Sequence, residues 1–379
     1  MRESLRIFPL FFDTTTKESA RASFNRMKTA FFFLTVLAFS ITVYSQQKPL
    51  TQAEYVKMLY SLQKNPAAKA DIVDALRRRG IAFTLTDGVR GLTRSKAGND
   101  DELKRALEEA DRRRQNPEGS RLPSSAETAG VIEKARAKAF EVVEEMPDFV
   151  VKQLITRADA YAGTGNWRPY DTLVIAVSYS TEKGEQYRVL AKNGAPVQDS
   201  VVASSYNGLD GATSGGEFVE DLAKIFKPES KTHFDILTTD VIRGRRTLVY
   251  EYVINIENNK NGGVGLKGPI YQSTPSGEKG RIWIDRDTFR VLRIDYQLTD
   301  IAPSFPVKAV TKSIDYDMVE IAGEKYLLPI VSDFRGTVEG GGKLFESRNV
   351  IRFRNYQKYG TDVIAIDEDS EPVVETKPN

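Results

Sequence analysis

The sequence holds one histidine, His233, and no cysteine. Thiolate nucleophiles, disulfides, cysteine zinc sites and iron–sulfur clusters are therefore excluded, and a single imidazole cannot supply the usual ligand set of a zinc centre. A Ser–His–Asp triad would have to use His233. That residue stands beside Phe234 just ahead of a strand, and no Gly-x-Ser-x-Gly elbow occurs, so it reads as a surface or strand-edge histidine. Gly263-Val-Gly265-Leu-Lys-Gly268 spells the dinucleotide fingerprint. Its chemistry needs a strand before the glycines and a helix after them, so that a pyrophosphate meets the helix N-terminus. Here Asn258-Asn-Lys-Asn precedes the glycines and Pro269 follows, which is the pattern of an inter-strand loop. Asp285-Arg-Asp287 begins like a calcium loop, but Arg290 stands where the loop needs glycine and Tyr296 where it needs glutamate, so a hairpin turn is expected. Paired carboxylates for glycoside cleavage need no fixed spacing, and nothing in the sequence favours a particular pair. Arg243-Gly-Arg-Arg246 is a basic turn, suited to a solvated hairpin end or an anion contact. No catalytic residue, metal or cofactor is expected.

The elements that would position side chains fall into two groups. From Gln46 to Gln115 the pattern is helical. Thr51-Gln-Ala-Glu54 is a capping box followed by Val56, Leu59 and Tyr60. Pro66 opens a second helix with Ile72, Val73 and Leu76 on one face and Gly80 at its end. Ile81–Leu85 is a brief extended piece, and Leu103, Ala106, Leu107 and Ala110 mark another helix, which runs into a polar linker over 116–123. Ser124-Ser-Ala-Glu127 is a second capping box before a helix carrying Val131, Ile132, Ala135, Ala139, Val142 and Val143, and Pro147 stops it.

Beyond Asp148 the apolar period changes to two. About ten strands are expected, including Leu173–Ser180, Thr247–Ile256, and a hairpin made by Ile282–Ile284 and Leu292–Leu298. Ser214-Gly-Gly-Glu217 is a third capping box, predicting one interrupting helix with Phe218, Val219, Leu222, Ile225 and Phe226 on its apolar face. The fold class is α+β: one strongly curved antiparallel sheet facing amphipathic helices, with a small N-terminal helical domain at 46–115 and the β domain at 124–366.

Composition bounds where such a chain works. Residues 1–26 precede Met27 without pattern and read as an overlong start. Met27-Lys28 and the fourteen-residue apolar stretch Ala30–Val43 read as a signal peptide, cleaved between Ser45 and Gln46. The whole chain has a formal net charge of +2, and without the leader it is close to neutral, which gives no electrostatic reason to expect nucleic acid. The tail 367–379 is acidic and expected to be disordered. These features predict a periplasmic or outer-envelope protein.

Gly280–Ile294 resembles the strand–turn–strand signature of LolA-like proteins, the superfamily of lipoprotein carriers and RseB-type regulators. Ile314–Pro329 is similar to a later hairpin of the same group. Met146-Pro-Asp-Phe149 and Trp167–Asp171 look like exported bacterial proteins assigned to that fold, and Leu50–Ala110 resembles a small helical module that precedes it. The resemblance implies an unclosed half-barrel, helices plugging its concave face, and an apolar cavity between them that takes acyl chains. Such a guest suits the physics, because each buried CH₂ contributes about 0.8 kcal/mol without a polar partner.

The residues expected to line that cavity are Phe218, Leu222 and Phe226 of the helix with Tyr250, Tyr252, Trp283, Leu292 and Ile294 of the strands. Ordinary core packing accounts for each of them equally well. Three functions follow as expectations: a non-catalytic binder of a lipid acyl chain or lipoprotein; an envelope stress-sensing or assembly module meeting a protein partner through 46–115; and, last, a carboxylate hydrolase.

Overall fold

A computed structural model describes residues 48–98, 100–197, 209–260, 262–266 and 271–359. The signal segment, the Ser45–Gln46 cleavage pair, residues 1–26 and the acidic tail lie outside the described residues. Four helices come first: α1 (Gln52–Ser61), α2 (Lys69–Arg79), α3 (Asp87–Lys96) and α4 (Asp101–Gln115). The Thr51–Glu54 capping box forms with both of its hydrogen bonds. Ile81, the predicted extended piece, pairs with Leu50 as an isolated parallel bridge. The four helices share a core of Leu50, Tyr55, Leu59, Ile72, Leu76, Leu103 and Leu107. Helix α3 was not expected. Its signal is weak because Gly88 and Gly91 sit inside it, yet Thr86 caps it by accepting from the Val89 amide, and Val89 and Thr93 are buried.

The helix predicted from Ser124 breaks in two. Ser124 caps only the four residues of α5 (Ser125–Thr128), then Gly130 turns left-handed at φ 69° and α6 (Val131–Glu144) starts afresh. The third predicted capping box does not form. Ser214 Oγ instead donates to the Glu217 carboxylate, which an ammonium group draws away from the backbone. The helix α7 therefore covers only Glu220–Phe226, without a side-chain cap.

The strands are β1 (Phe149–Tyr161), β2 (Arg168–Ser180), β3 (Gly184–Lys192), β4 (Ala195–Pro196), β5 (His233–Ile242), β6 (Arg245–Ile254), β7 (Gly263–Leu266), β8 (Gln272–Pro275), β9 (Gly277–Asp285), β10 (Val291–Thr299), β11 (Val307–Ile321), β12 (Glu324–Gly340) and β13 (Lys343–Lys358). Eleven of them form one antiparallel sheet in the order β4-β3-β2-β1-β13-β12-β11-β10-β9-β6-β5. The sheet is curved and open, with β4 and β5 as its edges, so the α+β half-barrel expectation holds. β7 and β8 pair separately. The first glycines of the fingerprint string thus lie on a strand, with no helix among the described residues that follow.

Alternation along each strand sends side chains to opposite faces. The inner face is covered by α6 and α7. Their Val131, Ala135, Ala139, Leu222, Ile225 and Phe226 pack on Leu248, Tyr252, Ile282, Ile284, Leu292, Ile294 and Ile314. A second inner cluster joins Phe149, Val151, Ile155, Ile175 and Phe353 to Phe218. The outer face of β5, β6, β9, β10, β12 and β13 receives α2 and α4, and the helices and the sheet belong to one compact unit.

Candidate functional site

Seven of the eight residues predicted to line a cavity do point to the inner face, but they form core. Leu222, Phe226, Tyr250, Tyr252, Leu292 and Ile294 join the first inner cluster and Phe218 the second, all nearly sealed from solvent. Phe218 packs at 5.2 Å on Phe149 and 5.3 Å on Phe353, and Phe226 stacks at 5.8 Å on Phe234. Trp283 differs. It lies on the outer face with Ile242 and Val249, and its Nε1 donates to Asp240 Oδ2 at 3.1 Å. Both neighbours, Ile282 and Ile284, point inward, so a strand apolar on both faces gave no sign of which way the indole faces.

Beside this core the inner face carries an ion network, which borders an opening of about 590 Å³ lined in part by Asp221, Lys224, Tyr296 and Lys312. The Lys312 ammonium donates to the Gly215 carbonyl (2.7 Å) and Asp221 Oδ2 (2.7 Å) and pairs with Glu217 Oε1 (2.9 Å). Those three partners use all three of its hydrogens. Tyr296 donates to Asp221, Tyr316 to the Glu217 carbonyl, and Tyr252 to Glu278, which Lys224 also meets. An acyl chain entering here would have to strip charges of their partners, at several kcal/mol each.

The other predicted chemistry resolves plainly. His233 is exposed on the edge strand, with Nε2 at 3.0 Å from an equally exposed Asp235. Asp285 accepts from the Asp287 and Thr288 amides and closes the predicted hairpin turn. Among the described residues no group of three or more His, Asp or Glu side chains could hold a metal ion, and no helix is long and apolar enough to cross a membrane. One carboxylate has an acid–base character that the sequence did not reveal. Burial, with the nearby Glu217 charge, pushes Glu185 up to about 7 against the donated bonds of Tyr187 and the Gly216 amide. It lines a trough shared with Tyr187 and Glu220.

The outer face carries the most concentrated unabsorbed chemistry. Where α4 lies against the sheet, charges interlock. Arg281 Nη1 donates to Glu109 at 2.9 Å and its Nη2 to Asp295 at 2.5 Å; Arg112 Nη2 donates to Asp240 at 3.0 Å. Glu109, Arg281 and Asp240 are buried. Burial alone would raise Glu109, but the Arg281 guanidinium outweighs it and holds the carboxyl down to about 2.

Next to this seam opens a cleft of about 390 Å³ between α3, α4 and strands β10, β12 and β13. Arg90, Arg94, Lys104, Arg105, Arg112, Arg293, Arg335 and Arg348 line it, against Asp101, Glu108, Glu109 and Asp333, so cations outnumber carboxylates two to one. The only two tryptophans of the chain flank this region: Arg335 and Arg348 lie over Trp167, and Arg281 and Arg293 over Trp283. Sequence reasoning missed the cleft because its arginines come from α3, α4 and three separate strands.

No family model matches the chain, and no curated protein does. Among solved structures, a DUF1329 family protein from Desulfovibrio piger overlaps 60% of this chain and 92% of its own, at 12% identity and a TM-score of 0.29. Pseudomonas aeruginosa MucB, solved in complex with MucA, overlaps 60% and 94% at 8% identity and a TM-score of 0.17. A further MucB–MucA complex gives 8% and 0.16 over the same shares. Overlaps this shallow leave both fold and function to be argued from the chain itself.

Proposed function

We propose that this chain is an exported, non-catalytic binding module that takes its ligand on the outer side of the sheet, in the cationic cleft between α4 and strands β10, β12 and β13. The observation carrying this reading is the cleft's surplus of cations, eight against four lining carboxylates. The resemblance to LolA-like proteins implies a guest inside the half-barrel; the opening beside Lys312 is bordered by charges already paired with one another, which favours an outside ligand. Helix α4 is one wall of the cleft, so the helical part contributes to binding as the interaction-module expectation has it, but jointly with the sheet.

Native mass spectrometry of the full chain, isolated at low salt from the envelope of cells expressing it, tests the reading. The expected result is a retained anionic ligand that is lost when Arg105 and Arg94 are both changed to glutamine. A retained neutral acyl chain, indifferent to those substitutions, would overturn it. The non-catalytic part falls if a screen of glycosidase and esterase substrates finds turnover that Glu185→Gln abolishes.

A further inference from the structure

Arg335 and Arg348 stand directly opposite each other on β12 and β13. Like charges in that position oppose strand pairing unless an anion lies between them. The chain supplies two itself: Asp333, which Arg348 meets through Nε at 3.0 Å and Nη2 at 2.8 Å and Arg335 approaches at 3.7 Å, and Asp101. Asp101, in the first turn of α4, receives Arg335 Nη2 at 2.5 Å and Arg348 Nη1 at 3.5 Å, and Lys104 joins it at 2.6 Å. One turn further along α4, Arg105 reaches the cleft and makes no side-chain hydrogen bond or ion pair among the described residues, although Asp295, Asp333 and Glu109 surround it at longer range. Arg94, at the exposed rim, makes none either. A guanidinium fork that already holds two carboxylates, with the Arg105 and Arg94 guanidiniums beside it making no such contact among the described residues, is an anion receptor part filled from within.

We infer that this end of the cleft binds a phosphate-bearing ligand, with Arg105 and Arg94 on phosphate oxygens and the Arg335–Arg348 fork shared between the ligand, Asp101 and Asp333. The inference rests on the reading of the cleft as the binding site and adds the ligand's chemistry. Phosphate is favoured over carboxylate for a physical reason. A free carboxylate would compete with Asp101, a tethered equivalent whose effective concentration is in the millimolar range or above. A phosphate brings about −1.5 to −2 of charge and three acceptor oxygens, which suit several forked donors at once. The cleft volume sits at the lower end of small-ligand sites, which run from roughly 300 to 1,000 Å³.

The test uses the full chain and sodium tripolyphosphate, followed by calorimetry and by the fluorescence of Trp167 and Trp283. Saturable binding is expected, weakening as salt rises and at least about tenfold weaker in Arg105→Gln. That variant should still unfold cooperatively, because Arg105 makes no direct side-chain hydrogen bond or ion pair among the described residues and loses only longer-range attraction to Asp295, Asp333 and Glu109. A second arm sediments the chain with phosphatidylglycerol or phosphatidylcholine vesicles. Co-sedimentation with the anionic vesicles alone, competed by tripolyphosphate, supports the inference and assigns the phosphate to a lipid headgroup. Tripolyphosphate binding without co-sedimentation supports it and assigns a soluble ligand. Binding of neither probe, or binding that Arg105→Gln leaves unchanged, overturns it. Should both probes fail while the envelope-derived ligand still depends on Arg105 and Arg94, only the phosphate chemistry falls and the cleft stands; ligand retention indifferent to them removes both.

Discussion

At the scale of single residues, the molecule's polar chemistry is mostly committed to holding itself together. Lys312, Glu217 and Asp221 lie buried on the inner face and pair through the ammonium, with Glu217 Oε2 left without a hydrogen bond among the described residues. Glu185 is matched less well. One of its oxygens, Oε1, is buried without a hydrogen bond among the described residues. Its pKa is raised from near 4.5 to about 7, chiefly by burial. A carboxyl raised on folding gives stability that is complete below about 4.5 and lost as pH climbs through about 7. Wild-type stability should therefore fall between pH 4.5 and 7.5, by on the order of 1–3 kcal/mol from this group. Glu185→Gln should flatten that slope and leave the protein more stable than wild type at pH 8. Urea unfolding of both proteins at pH 5 and pH 8 checks this; equal slopes would show that the charge is solvated in the folded state. None of it was legible beforehand, because the burial of Glu185 depends on the loop at Gly215–Gly216 meeting β3.

At the scale of elements, the sequence read best where one face was plainly apolar. The β2, β6 and β10 alternations and the Thr51 cap appear where expected. It read worst where tertiary contacts overrode a local pattern. Ser214-Gly-Gly-Glu217 spells a helix start, yet Glu217 is worth more to Lys312 than to a backbone amide. Trp283 was grouped with the inner residues because its strand is apolar on both sides. The docking of α4 on the sheet was illegible for a related reason: its partners Arg281 and Asp295 lie across a register that only the folded sheet defines. Their importance is measurable. Arg281→Met removes one cation from the buried Glu109 and the half-buried Asp295 and should cost about 3–5 kcal/mol in urea unfolding. Adding Glu109→Gln to it should recover part of that loss, because one stranded charge is then gone. A loss under about 1 kcal/mol would mean that α4 is not held by this seam.

At the scale of the whole molecule, a curved sheet uses its two faces differently. The inner face buries helices, aromatic rings and an ion network that borders an opening of about 590 Å³. The outer face carries arginines and carboxylates in a lattice that α4 only partly neutralises, and the residual positive charge collects in one cleft. On the proposed reading, position on the sheet rather than the hollow of the half-barrel decides where a guest is held.

Hydrogen exchange on the full chain tests that division most directly. Protein isolated with its envelope ligand is compared with the same protein after the ligand has been removed in high salt. Faster exchange after removal is expected in α4 and in β12 and β13 around Arg335 and Arg348, with α7, β6 and β9 unchanged. Faster exchange confined to α7, β6 and β9 would put the guest inside the half-barrel and contradict the outer-face site.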